Sequence, residues 1–261
     1  MLKSYLNLYG KYLSSMTTLL SIEAASDSCS IALQIGQQVI QRLEPAPRMH
    51  SRLLYPMLNS IMSEAGISPN QLDAIAFVNG PGSFTGLRIA AATAQGMGFA
   101  CDTPLIGIST LQAMAQQEFN EHRAERVISL MDARMNELYL GYYEVDLSTG
   151  IMVKKVDDCL CPVDVDYTLL QIPSPKRIIN KQIYGCGHGF KLTEKLSSSL
   201  RDACFSVDAG QVLQAKSLLP LANTLYNDNK TLLPEEIELV YLREQSHWKT
   251  IKQQKLLNKE K

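Results

Sequence analysis

The sequence predicts an α/β protein built from two lobes. In the first half of the chain, apolar runs and helical segments follow the order β-β-β-α-β-α-β. A strand–turn–strand pattern then restarts near residue 125. The length of 261 residues suits two α/β units of ordinary size.

Three strands are predicted to open the first lobe. Residues 18–26 form an apolar run, and apolar side chains alternate with polar ones along residues 29–36. A short polar turn separates this segment from residues 39–44. Alternation with short turns is typical of an antiparallel meander, so we expect three consecutive strands.

Two helices and two further strands complete the predicted first lobe. Residues 52–65 carry apolar side chains at helical spacing, with Ser51 as the expected N-cap. Residues 73–80 and 104–109 are short apolar runs typical of central strands, and residues 84–100 form a helix between them. This element order matches a ribonuclease-H-like lobe, the unit that actin-like and hexokinase-like proteins use twice.

The second half of the chain is predicted to be a degraded copy of the first lobe. Residues 125–145 give two strands around a turn at 132–136, and shorter helical and strand segments follow, beginning with residues 166–171. We expect a first lobe over residues 17–112 and a second over 113–245.

The two ends of the chain differ from the lobes. Residues 1–16 are basic and without an acid, and we expect an extension or a misassigned start with Met16 as the functional initiator. The alternative is a short presequence. Residues 246–261 form a basic tail that we expect to be exposed.

Composition excludes several functional classes. A net charge of −1 gives no general attraction to nucleic acid or to anionic membranes. No apolar run reaches membrane-spanning length. The six cysteines contain no C-x-x-C pair, which does not favour zinc and indicates reduced thiols in a cytoplasmic protein.

The most distinctive stretch is NGPGSFTGLRIAAATAQGMG, residues 79–98. A P-loop needs a lysine after its last glycine, whereas Gly86 is followed by a leucine and Arg88. A dinucleotide-binding turn has the spacing G-x-G-x-x-G, and the segment from Gly80 through Gly82 to Gly86 is one residue too long. Neither phosphate-binding motif fits.

The glycine-rich turn can still make a sharp corner between strand and helix. Its two glycines around Pro81 allow positive φ, and Ser83 or Thr85 offers a hydroxyl to cap the helix. The helix start can attract an anion with help from Arg88. The alternative is a tight corner with no ligand.

The helix over residues 84–100 has small or apolar residues around nearly its whole circumference. Such a helix is buried on more than one side, and its small residues permit close helix packing. We therefore predict that this helix and residues 52–65 contact a partner, the alternative being that both fill the core of one lobe. The predicted interface residues are Leu54, Met57, Leu58, Ile61, Ile89, Ala92, Thr93 and Met97.

The string GPGSFTGLRIAAATAQG strongly resembles the TsaB (YeaZ) family, a bacterial partner in making threonylcarbamoyladenosine on tRNA. Residues 50–58, 104–116, 132–143 and 239–249 resemble the family in the same order, so the resemblance covers nearly the whole chain. The residues of the family motif turn are Gly80, Pro81, Gly82, Ser83, Phe84, Thr85, Gly86 and Arg88.

The resemblance implies two actin-like lobes and a non-catalytic role without a cofactor. In the family, the protein binds TsaD, the threonylcarbamoyl-transferring subunit, and the ATPase TsaE joins a ternary assembly with ATP. The helices matching residues 52–65 and 84–100 would pack against TsaD or against a second copy of the chain. We expect contact with tRNA mainly through these partners and none with membranes.

The histidines offer no TsaD-like metal site. Such a site needs an H-x-x-x-H pair on a helix, and His50, His122, His188 and His247 are never four apart. We expect no bound metal, which argues against a metallopeptidase.

Three charged residues are candidates for a cleft or docking role. Actin-like phosphotransferases end their first strand with D-x-G-[ST], whereas this chain has Glu23 followed by two alanines and a serine. Its alternative role is a strand-end acid bonded to nearby backbone. Asp132 and Arg134 lie at the predicted hairpin turn and would face the cleft or a partner, or form a surface ion pair. An actin-like ATPase or small-molecule kinase using Glu23 and the motif turn is the rival function.

Overall fold

Two five-stranded sheets form the scaffold of the protein. The computed structural model describes residues 17–46, 49–166, 172 and 182–243. The predictions for residues 1–16, 167–171 and 246–261 lie outside the described residues.

The first sheet has the strand order β3-β2-β1-β4-β5. β1, β2 and β3 are antiparallel neighbours, whereas β4 and β5 run parallel to β1. The predicted meander and both central strands are confirmed. Its strands are β1 (Thr18–Glu23), β2 (Ser28–Ile35), β3 (Gln38–Pro45), β4 (Ala74–Gly80) and β5 (Leu105–Ser109).

Helices cover both faces of the first sheet. Because side chains alternate along a strand, Leu20 and Ile22 of β1 pack with α1 and α2 on one face, and Leu19 packs with α3 and α5 on the other. The first sheet is covered by α1 (His50–Ala65), α2 (Phe84–Cys101) and α5 (Leu219–Asn227). The helix α3 (Thr110–His122) lies between the two sheets, and α4 (Ser198–Ala203) belongs to the second lobe.

The second sheet repeats the topology of the first, with the order β8-β7-β6-β9-β10. Its last two strands have only three residues each and α4 has six, so the second copy is reduced. Two ribonuclease-H-like lobes, the second degraded, are therefore confirmed. The strands are β6 (Arg126–Arg134), β7 (Glu137–Asp146), β8 (Ile151–Pro162), β9 (Tyr184–Cys186) and β10 (Ser206–Asp208).

The two lobes share a core, and the chain returns to the first lobe near its end. The N–H of Ala215 donates to Ser30 Oγ (3.0 Å). Leu232 and Leu105 exchange two backbone hydrogen bonds (2.8 and 2.9 Å). The later part of residues 113–245, assigned from sequence to the second lobe, thus packs on the first sheet.

The start of α1 differs from the sequence-based prediction. The helix begins at His50 after Met49, which provides no side-chain cap, so the prediction that Ser51 caps it is wrong. Gly66 ends α1 in the left-handed region, with φ 66°.

Candidate functional site

The motif turn, residues 79–88, joins β4 to α2 through a sharp corner. Gly80 has φ 129°, in a region that favours glycine. Gly82 has no positive φ, so that part of the prediction is wrong. A Cβ at Gly82 would instead lie 2.7 Å from the Cβ of Ala25. Gly82 is therefore needed for close packing against the loop between β1 and β2.

The helix α2 starts on the same loop. The Ser83 hydroxyl accepts a hydrogen bond from the N–H of Gly86 (3.3 Å), which confirms Ser83 rather than Thr85 as the N-cap. A Cβ at Gly86 would overlap the carbonyl oxygen of Ala24. The glycines of the motif turn thus allow the first turn of α2 to lie directly on the β1–β2 loop.

Glu23 ends β1 beneath this corner and is fully buried. Its Oε1 accepts hydrogen bonds from the N–H groups of Ala25 (2.8 Å) and Ser26 (3.1 Å), and the Ser26 hydroxyl is 3.2 Å from Oε2. Burial raises the pKa of the Glu23 carboxyl to about 8, although these hydrogen bonds oppose the rise. The structure places Glu23 as a buried strand-end acid and not in an open cleft.

His50 holds the other side of the β1–β2 loop. Its Nε2 lies 2.9 Å from the carbonyl oxygen of Ser26 and 3.1 Å from that of Ser28. Both partners are acceptors, so Nε2 carries the proton and donates to them. Nothing in the sequence around His50 indicates this structural role.

The hairpin turn, residues 132–137, connects β6 to β7. Arg134 and the two residues after it have positive φ. Its N–H donates to Asp132 Oδ1 (2.8 Å) and its guanidinium lies 3.2 Å from Oδ2. Because the Arg134 side chain is 86% exposed, this ion pair contributes under about 1 kcal/mol.

His188 supports the hairpin turn from the second lobe. The N–H of Asp132 donates to His188 Nδ1 (3.2 Å), so this ring nitrogen is unprotonated. Burial lowers the pKa of His188, while the carboxylates of Asp132 and Asp27 oppose that effect. Asp27 belongs to the β1–β2 loop, so the corresponding loops of the two lobes face each other here.

The segment before residue 244 links the motif turn to the hairpin turn. The N–H of Val240 donates to the carbonyl oxygen of Asn79 (2.8 Å). Arg243 donates to the carbonyl oxygen of Ala133 (3.1 Å) and forms an ion pair with Glu137. Three family-like stretches that are far apart in sequence therefore meet at one place.

Two aromatic rings and an arginine form the exposed part of this site. The Arg88 guanidinium lies 3.4 Å from the centroid of the Phe84 ring and 5.5 Å from that of Tyr241. The two ring centroids are 5.8 Å apart. The residues next to Tyr241 in sequence do not indicate that its ring contacts residues 79–88.

The predicted interface residues divide into two groups. The set on α1 lies on its inward face and packs in the core of the first lobe, so the prediction that it contacts a partner is wrong for the folded chain. These residues are Leu54, Met57, Leu58 and Ile61. On α2, Ala92 is exposed, and Ile89, Thr93 and Met97 are half-buried at the edge of the same core.

An exposed row of residues, each four positions after the last, runs along α2. The row consists of Arg88, Ala92, Gly96 and Ala100. A Cβ built at Gly96 would meet no atom of the described part of the chain within 4 Å. Two residues later, a Cβ at Gly98 would lie 2.9 Å from the carbonyl oxygen of Thr103. Packing inside the chain therefore requires glycine at 98 but not at 96.

Metal-ligand groups and membrane-spanning helices are both absent from the described part of the chain. Its His, Cys, Asp and Glu side chains form no group of three that could hold a metal ion. None of its helices is long and apolar enough to cross a membrane.

Comparison with protein families and curated sequences gives a consistent result. The model of the family described as "TsaD: tRNA N6-adenosine threonylcarbamoyltransferase" matches residues 43–241. The "tRNA threonylcarbamoyladenosine biosynthesis protein TsaB" of Haemophilus influenzae is 34% identical, over 90% of this chain and 97% of the relative. The Escherichia coli protein of the same description is 32% identical, over 89% and 97%.

A solved structure agrees with these relatives. "YeaZ from Pseudomonas aeruginosa" superposes with a TM-score of 0.77 at 32% sequence identity. The alignment covers 87% of this chain and all of the YeaZ chain.

Proposed function

The chain belongs to the TsaB (YeaZ) family of tRNA threonylcarbamoyladenosine biosynthesis proteins, and we propose that it acts as the non-catalytic partner of TsaD. TsaD would transfer threonylcarbamoyl from threonylcarbamoyl-AMP to the adenosine beside the anticodon. TsaE would join the two proteins in a ternary assembly with ATP. When TsaD is absent, a second copy of the chain would occupy the same surface.

The observation that carries this proposal is Gly96 in the exposed row of α2. Glycine inside a helix costs about 1 kcal/mol relative to alanine, and the open space around Gly96 shows that no atom of the described residues requires it. Gly96 forms a low ridge with Ala92 and Ala100, the three small residues of the exposed row. Helices pack about 8–10 Å apart, at the short end when contact residues are small, so this ridge suits another helix.

Two features support the non-catalytic part of the proposal. Glu23 occupies the place where actin-like phosphotransferases hold their metal–nucleotide, but its side chain is buried and hydrogen-bonded to the adjoining loop. The two histidines beside the β1–β2 loop and the hairpin turn, His50 and His188, are likewise hydrogen-bonded to backbone. These contacts make all three side chains structural.

Replacing Ala92 with arginine tests the proposal. A long charged side chain on the ridge would keep a partner helix from approaching, whereas the exposed position leaves the fold intact. Ser198→Arg, on an exposed position of α4, adds a similar side chain in the second lobe and serves as the matched control.

Binding to TsaD would be measured by calorimetry and self-association by sedimentation, with circular dichroism as the check on folding. We expect Ala92→Arg to weaken both associations at least tenfold while Ser198→Arg leaves them unchanged. A folded Ala92→Arg variant that binds TsaD as tightly as the natural chain would refute the proposed interface.

A further inference from the structure

An exposed layered cluster of Phe84, Arg88 and Tyr241 lies at the N-terminal end of α2. The two rings are tilted by 42° to each other, with the guanidinium packed against the Phe84 ring. Phe84 is 56% exposed and Tyr241 is 44% exposed. Much of both rings is therefore accessible to a ligand.

The position of Tyr241 depends on long-range contacts. The hydrogen bond from Val240 to Asn79 and the contacts of Arg243 with the hairpin turn fix the backbone on both sides of it. The exposed ring is thus presented on an anchored segment. Covering such a ring in a complex removes apolar surface from water and so favours binding.

Arg88 contributes a positive charge that no described carboxylate neutralises. Among residues 17–46, 49–166, 172 and 182–243, no carboxylate forms an ion pair with its guanidinium. Its close contacts are with the two rings. A ligand that satisfies this cluster therefore combines flat apolar surface with negative charge.

Unpaired RNA has this chemistry. Its bases stack on aromatic rings and guanidinium planes, and its phosphates pair with arginine. We propose that Phe84, Arg88 and Tyr241 form a stacking site for unpaired bases of RNA. Resting on the proposed function, we further propose that this RNA is the tRNA being modified.

The cluster lies beside the hairpin turn and is followed by a basic stretch of sequence. Arg243 contacts Met135 in the hairpin turn, next to the highly exposed Arg134. After Arg243, residues 244–261 contain five lysines and only two glutamates. The net charge of −1 therefore does not describe this end of the sequence. The flat faces of the cluster favour RNA over an acidic protein segment, whose carboxylates carry charge without a ring that stacks.

The test measures RNA affinity with the double variant Phe84→Ala/Tyr241→Ala. Fluorescence anisotropy would follow a labelled anticodon stem-loop RNA binding to the chain alone and to its complex with TsaD. Phe205→Ala is the matched control, since that ring is 64% exposed and contacts another ring in the second lobe. Because bases stack favourably on aromatic rings, we expect the double variant to lose at least tenfold in RNA affinity and the control to lose none.

The salt dependence separates the roles of the three side chains. Replacing Arg88 with glutamine should lower the slope of log affinity against log salt concentration by about 1, because one phosphate contact is lost. The double variant should weaken binding without changing this slope. Free ATP should not displace the RNA, since the proposed ligand is a strand and not a nucleotide.

Three results would overturn the inference. Unchanged RNA affinity with weaker TsaD binding would make the cluster a protein contact, and unchanged affinity for both would leave it without a ligand. Displacement by ATP would indicate a nucleotide site. If the natural chain does not bind TsaD, the proposed function fails, while the measurement on the chain alone still decides whether RNA stacks here.

Discussion

Replacing Glu23 with glutamine is expected to remove a pH dependence from the stability of the fold. Glutamine has nearly the shape of the neutral acid. Its Oε1 can accept the hydrogen bonds from Ala25 and Ser26, and its Nε2 can donate to the Ser26 hydroxyl. The substitution therefore keeps the contacts and removes only the titration.

The size of the effect follows from the pKa of Glu23, which rises from 4.5 when the group is unperturbed to about 8 in the folded protein. Between these values the folded chain binds a proton that the unfolded chain has released, so stability falls as pH rises. At 1.36 kcal/mol per pKa unit, the whole loss is on the order of 5 kcal/mol. About 3 kcal/mol of it falls between pH 6 and pH 9.

Urea denaturation followed by circular dichroism would measure the free energy of unfolding of both proteins across this range. The contributions of the other titrating groups are the same in both proteins, so they cancel when the two free energies of unfolding are subtracted. We expect the free energy of unfolding of the variant, relative to that of the natural chain, to increase by about 3 kcal/mol from pH 6 to pH 9. A constant difference would refute the reasoning, because Glu23 would then have an ordinary pKa in the folded protein.

Three further substitutions test the packing of α1 and α2 by urea denaturation. Gly86→Ala should destabilise the fold by about 3 kcal/mol, because its Cβ overlaps the Ala24 carbonyl oxygen, and unchanged stability would mean that the corner is loosely packed. Gly96→Ala, the same change in the same helix, should stabilise the fold by about 0.5–1 kcal/mol, because its Cβ meets open space. A decrease in stability would mean that the added methyl group contacts another part of the chain. Leu58→Glu should prevent folding by placing a charge in the core, and a folded variant that has lost only TsaD binding would restore Leu58 to the interface.

The first lobe was predictable because its signals are local. Alternation marked β1 to β3, and the turn residues before Phe84 marked the corner and its Ser83 cap. The second lobe was predicted less completely, since β9 and β10 are too short to show a period. A three-residue strand is held by its neighbours more than by its own sequence.

The candidate site was only partly predictable for a different reason. Helical spacing shows that one face of α1 is apolar, but not whether that face meets its own sheet or another protein. Leu58 and its neighbours face the sheet, whereas Ala92 of α2 faces outward. Tyr241 and Arg243 belong to the site because they contact residues more than a hundred positions away in sequence. Local sequence patterns do not predict such contacts.

The most direct test of the proposed function is tRNA modification with purified components. TsaD, TsaE and the threonylcarbamoyl-AMP synthase would be incubated with tRNA, threonine, bicarbonate and ATP, with and without this protein. As a non-catalytic partner of TsaD, it should be required for threonylcarbamoyladenosine formation and should form no product when TsaD is left out. Equal product without it, or product from it in the absence of TsaD, would contradict that role.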